Sequence, residues 1–137
     1  MKRILAALLF LTPALSFADD HAFGDVTIHA NAISTMQLLP AMAKQYGITR
    51  DAKHGLLNVS IEQAGHSVSA SVTAQVGDLT GHRHELPLRE TTENGDIDYL
   101  GEFAIDGSGT YVFTVTATVP GKTQPMTARF TQDLVVD

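Results

Sequence analysis

The sequence predicts an all-β fold, a single antiparallel sandwich of about seven strands with one short helical turn between strands 1 and 2. Three observations lead there. Apolar and polar residues alternate with period two over 110–119, putting Tyr111, Phe113, Val115, Ala117 and Val119 on one face and Thr114, Thr116 and Thr118 on the other. Six further segments repeat the alternation over shorter runs. Between the runs stand Ala64-Gly65-His66, Gly77-Asp78 to Gly81, Asn94-Gly95, Asp106-Gly107-Ser108-Gly109 and Pro120-Gly121, residues that tolerate tight or left-handed backbone. Short strands punctuated so regularly belong to a sandwich or small barrel.

The first eighteen residues are of a different kind. Met1-Lys2-Arg3 is basic, Ile4 to Leu15 is apolar apart from Thr12 and Pro13, and Ser16-Phe17-Ala18 places small residues before a cleavage point. That order is a secretory signal peptide, and the apolar run falls short of the roughly 20 residues a membrane span needs. The expected domains are therefore 1–18, a signal peptide cut between Ala18 and Asp19, and 19–137, one soluble domain.

Strand 1, 25–32, aligns Val26, Ile28 and Ala30. The connection that follows has Pro40 where a first helical turn accepts proline and Gly47 where a helix ends, so a helical turn is expected over 40–46. Leu38, Leu39, Met42 and Tyr46 are expected to plug one end of the sandwich as core. Strand 2, 56–62, turns Leu57, Val59 and Ile61 inward, and strand 3, 68–76, alternates Val/Ala with Ser/Thr/Gln. Strand 4, 84–90, has Leu86 and Leu88 as its core pair, with Pro87 marking an edge. Strand 5, 97–105, aligns Ile97, Tyr99, Phe103 and Ile105; strand 6 is 110–119; strand 7, 126–136, aligns Met126, Ala128, Phe130, Leu134 and Val136 across an interrupting Gln132. Asn94-Gly95 is the signature of a two-residue hairpin turn, and Tyr111, just past a glycine-rich turn, is placed like the tyrosine corner of Greek-key sandwiches.

Removing Lys2 and Arg3 leaves 7 basic against 15 acidic side chains, a net charge of −8. Without a basic cluster the chain lacks the footprint of a nucleic-acid binder, and an acidic surface does not favour anionic lipid. It contains no cysteine, which excludes thiol chemistry, disulfides and thiolate metal sites and leaves the apolar core to hold the fold.

Several stretches together resemble a known family. Phe23-Gly24-Asp25, the connection Pro40…Ala43…Tyr46-Gly47-Ile48…Arg50, Leu56-Leu57-Asn58-Val59-Ser60, Leu88-Arg89-Glu90, Gly95-Asp96-Ile97-Asp98-Tyr99 and Phe130-Thr131-Gln132 look like an uncharacterised family of small periplasmic proteins of Gram-negative bacteria, a domain of unknown function. The resemblance spans nearly all of 19–137 and implies an immunoglobulin-like sandwich and a periplasmic location. It supplies no catalytic residue.

The chemical hints are few. Cleavage after Ala18 would free the amine of Asp19 ahead of Asp20 and His21, and an amine, two deprotonated amides and an imidazole form the square-planar nitrogen set that Cu(II) or Ni(II) prefers. His82 and His84 in His82-Arg83-His84 share a strand face and could pinch one ion, although a closed zinc site needs four ligands and His29, His54 and His66 are isolated in sequence. Glu90, Glu93, Asp96 and Asp98 surround the Asn94-Gly95 turn without calcium-loop spacing, as at a solvated hairpin tip. Asn58-Val59-Ser60 matches a glycosylation acceptor but falls inside a strand. Neither Gly-x-Ser-x-Gly nor His-Glu-x-x-His occurs, and no cofactor motif is present. The sequence therefore points to a non-catalytic binding module of the envelope, with an envelope protein as its partner. The alternative is a Cu(II)/Ni(II)-binding protein using Asp19-Asp20-His21 or His82/His84.

Overall fold

The computed structural model describes residues 19–136, so the expected signal peptide lies outside the described residues. The strands are β1 (Asp19–Phe23), β2 (Val26–Ser34), β3 (His54–Gln63), β4 (His66–Ser67), β5 (Ser71–Gly77), β6 (Arg83–Leu86), β7 (Arg89–Glu93), β8 (Asp96–Ala104), β9 (Gly109–Thr118) and β10 (Met126–Leu134). A 3-10 turn, Thr35–Gln37, and helix α1, Pro40–Tyr46, fill the connection from β2 to β3. One sheet runs β1-β2-β3-β8-β7 with β4 added to β3; the other runs β10-β9-β5-β6. All pairings are antiparallel.

The all-β sandwich expected from sequence is what forms, with ten strands in place of seven. Two are additions. Asp19–Phe23, in the segment expected to be a tail, pairs with β2 in the register Asp20↔His29 and His21↔Ile28, and His66–Ser67 folds back on β3. The third comes from dividing expected strand 4. Pro87 has no N–H for a ladder, and the chain changes sheets there, β6 ending one sheet as an edge strand and β7 the other. The edge position read from Pro87 is thus correct for both halves.

Between the sheets lies the core that period two foretold. Val26, Ile28, Leu57, Val59 and Ile61 from one sheet meet Val76, Phe113, Val115, Ala117 and Phe130 from the other, all buried. Phe113 packs edge-on to Phe103 and stacks on Phe130, each at 5.1 Å between ring centres, contacts worth about 0.5–1.5 kcal/mol beyond burial. Two tyrosines tie loops to this core. The Tyr99 hydroxyl accepts from Ala70 N–H (2.8 Å) and donates to Ala70 C=O (3.1 Å), fixing the crossing from β4 to β5. The Tyr111 hydroxyl donates to Gly107 C=O (2.7 Å) and accepts from the N–H groups of Asp106 and Gly107, the corner expected of it. Asn94 and Gly95 both have positive φ, 53° and 85°, and close the β7–β8 hairpin in two residues.

Helix α1 does not plug an end of the sandwich. It lies on the outer face of the first sheet, where Ala43, Ile48, Leu56 and Leu100 form a second small core with Ile33, Leu38 and Tyr46 beside it. Leu56 and Leu100 face away from the main core because their neighbours Leu57 and Tyr99 face into it. Of the four residues expected as a plug, Leu38 and Tyr46 are partly buried there, whereas Leu39 and Met42 are exposed.

Candidate functional site

One end of the sandwich gathers the last residues of β2, β5 and β10, the first of β3, β6 and β9, and the irregular segments between them. Two clefts open there.

The larger, about 430 Å³, is bordered by Ala32, Ile33, Met36, Gln132, Leu134 and Val135, among others. Its wall at Met36 is held by hydrogen bonds within the β2–β3 connection. Ser34 caps the 3-10 turn, its hydroxyl accepting from Met36 N–H while Gln37 reaches back to Ser34 N–H. Thr35, fully buried, donates its hydroxyl to Asp51 C=O (2.9 Å) and accepts from Asp51 N–H (2.8 Å). Arg50 donates to the carbonyls of Leu38 and Met36 at 2.9 and 3.0 Å. At the far end of α1, Tyr46 donates to Glu93 and Gln45 does likewise, joining the helix to β7. Tyr46 in turn holds the Glu93 carboxyl below its usual range. The connection 35–50 is thereby fixed in place with Met36 47%, Leu39 67% and Met42 42% exposed.

The second cleft, about 400 Å³, lies between the β5–β6 turn and the β8–β9 loop. It is lined by Asp78, His82, His84, Asp106, Ser108 and Tyr111 with neighbouring backbone, so the pair singled out in sequence does share one cavity. His84 is in β6 opposite Val76, and His82 sits in the turn before it. Asp78 organises that turn, its carboxylate accepting from Thr80 N–H (2.9 Å), the Thr80 hydroxyl (2.5 Å) and His82 N–H (3.2 Å). The Thr80 bond, first among these, holds the Asp78 carboxyl below its ordinary range. His82 Nδ1 lies 3.0 Å from the same Thr80 Oγ1. The His82 side chain is 88% exposed.

The amino-terminal motif is placed quite differently from a free tail. Asp20 is on the outer face of the sheet, with Oδ1 2.7 Å from His29 Nδ1, and Glu62 Oε1 lies 3.2 Å from the opposite ring nitrogen in poorer alignment. The Asp20 bond raises the pKa of His29 against the opposing effect of burial. Two carboxylates on opposite nitrogens cannot converge on one ion. His21 shares the core-facing side with Ile28, and its Nε2 is shielded from water with no hydrogen-bond partner among the described residues. Glu62, Asp96 and Asp98, with Ser60 and Ser67, border a smaller acidic hollow of about 260 Å³, where burial first and then Asp96 raise the Asp98 pKa. Among the described residues no three His, Asp or Glu side chains are placed to hold one ion. His54 stands 3.6 Å from Asp51, His66 lies in β4, and Asn58-Val59-Ser60 is inside β3, between β2 and β8. Sequence reasoning missed the Asp20–His29–Glu62 row, which only the β1–β2–β3 register assembles, and the exposure of Leu39 and Met42.

Residues 20–137 match the family described as domain of unknown function DUF4426. The chain belongs to that family. This DUF4426 chain is similar in structure to a DUF4426 family protein from Pseudomonas aeruginosa PAO1, with 31% sequence identity and a TM-score of 0.76, over 88% of this chain and 97% of that one. It also shares its fold with FetP of uropathogenic Escherichia coli strain F11, at 13% identity and a TM-score of 0.63, over 85% of this chain and 93% of that one. A copper-bound variant of that FetP gives 12% identity and a TM-score of 0.60, over 88% and 96%. No curated protein matches the DUF4426 chain. Among the described residues no helix is long and apolar enough to cross a membrane.

Proposed function

We propose that this DUF4426 chain is a non-catalytic binding module exported to the periplasm of a Gram-negative cell, docking an envelope protein on the face formed by the 3-10 turn, α1 and the apolar cleft. One observation carries the reading. Three of the five large apolar side chains exposed among the described residues, Met36, Leu39 and Met42, stand on one connection, and a fourth, Val135, borders the same cleft as Met36. Two of the three are methionines, whose flexible, polarisable side chains suit contact surfaces. Apolar groups displayed together to water on a braced loop mark a contact site. Export is supported by the basic, apolar, small-residue order of 1–18. In the test, the double variant Leu39→Ser, Met42→Ser is exported beside wild type. It should keep the wild-type melting temperature within about 2 °C, as exposed substitutions do, and lose a partner that wild type retains at stoichiometric yield. A partner kept by the double variant contradicts the reading.

A second reading is favoured by the second cleft. His82 and His84 open on one cavity, and imidazole nitrogen is a donor that Cu(II) and Ni(II) take. A copper-bound FetP variant has the same fold. The amino-terminal Asp19-Asp20-His21 set is its other candidate. Copper retention measured on His82→Ala, His84→Ala and on His21→Ala separates the two sites.

A further inference from the structure

The conformation of β1 decides how its amino-terminal nitrogens could meet a metal. A four-nitrogen chelate needs the Asp19 amine, the amide nitrogens of Asp20 and His21, and the His21 imidazole to converge in one plane around one ion. In an antiparallel ladder, one of any two successive residues exchanges both its N–H and C=O with the partner strand. With Asp20 opposite His29 and His21 opposite Ile28, one of the two required amides is therefore committed to β2. Successive N–H groups of a strand also point in opposite directions within the sheet, and the His21 ring stands out of the sheet plane on the core-facing side. The nitrogens diverge wherever β1 is a strand. What holds Asp19–His21 down is the ladder itself, the core-facing His21 ring, the 2.7 Å Asp20–His29 contact on a half-exposed surface, and Phe23 packed on the core beyond it. His21 Nε2 gains nothing from docking, being buried with no hydrogen-bond partner among the described residues.

We infer that β1 is a metal-displaceable strand: Cu(II) or Ni(II) chelated by Asp19-Asp20-His21 lifts Asp19–His21 from β2 and bares the β2 backbone over 28–30. The inference rests on the amino-terminal form of the metal reading. Chelation passes the ammonium proton and both amide protons to solvent, and the metal keeps its oxidation state. Phe23 stays docked, so the opening is confined to the strand's first residues. The Asp20–His29 contact opposes the metal without supplying any of its ligands.

The experiment takes protein exported to and purified from the periplasm, its mass fixing the first residue, and adds one equivalent of Cu(II). Native mass spectrometry counts the metal, and hydrogen exchange reads the amides of 19–31. The expected result is one retained copper with loss of protection in β1 and in the β2 amides that face it, both abolished in His21→Ala. In His29→Ala, copper should be held about two- to fivefold more tightly, the worth of an exposed pair; unchanged or weaker retention overturns the antagonism. Copper retained with those β2 amides still protected overturns the displacement and leaves the chelate standing. A chain that starts elsewhere than Asp19, or that retains no copper, removes the amino-terminal chelate and the inference together.

Discussion

Thr35→Val tests whether the exposed connection is braced as described. Thr35 is the one polar side chain that is fully buried among the described residues, and both of its hydrogen bonds go to the backbone of Asp51. Valine fills almost the same space, so no cavity term enters. It removes two bonds and leaves the Asp51 N–H unmatched, while the Asp51 C=O still accepts from His54 N–H at 3.1 Å. A buried group stranded in this way costs about 1–3 kcal/mol. Asp51 itself is only half-buried and water can reach part of it, so the lower part of that range applies to the N–H, and with the bond lost at the carbonyl the total is about 2 kcal/mol. For a domain of this size that is a fall of about 8 °C in melting temperature. Thr35→Ser keeps the hydroxyl and loses one buried methyl, which costs about 1 kcal/mol. Thermal and urea unfolding followed by circular dichroism ranks wild type, serine and valine variants. Valine as stable as wild type, or more stable than serine, refutes the claim that these bonds hold the loop.

Three further outcomes follow from the same geometry. Tyr99→Phe should lower stability by about 2 kcal/mol in urea titration, since both Ala70 groups lose the hydroxyl that satisfies them; no change would mean that water replaces it. Val115→Asp should abolish the folded state, an unpaired charge entering a fully buried position, while Thr116→Asp on the opposite face folds with a cost under about 1 kcal/mol; equal melting of the two would reverse the faces assigned to β9. Asp98, raised above the ordinary carboxylate range first by burial and then by Asp96 and Glu93, binds its proton more readily folded than unfolded. Its charge therefore costs stability as pH rises through the folded value. Asp98→Asn should gain stability over wild type near neutral pH and lose that gain in acid, and a gain independent of pH would refute the assignment.

How much of this was legible in sequence follows from what each residue depends on. Val26, Ile28, Val59, Phe113 and Phe130 were readable because a strand buried on one face must alternate, whatever surrounds it. Pro87 was readable as an edge for a similarly local reason, although the change of sheet was not, since it depends on where β6 and β7 find partners. Asp19–Phe23 carries no alternation and little strand propensity; it is a strand because β2 offers an open edge and His29 a partner for Asp20. In α1, seven residues are too few to define a stripe, so the buried side of the helix is set by Leu56, Leu100 and the Tyr46–Glu93 bond, none of them adjacent in sequence. That is why Leu39 and Met42 read as core and emerge as surface. His82 and His84 were legible as a pair because two-residue spacing is local; the β8–β9 loop that completes their cleft is not.

The most direct test of the central claim is site-specific photo-crosslinking in living cells from position 39, where the side chain is 67% exposed. A probe at position 118, on the rim of the other sheet, serves as the reference. The account predicts a discrete adduct from position 39 that is absent from position 118 and disappears with Met36→Ser and Met42→Ser. No adduct at position 39, or the same adducts from both positions, would contradict a docking face there.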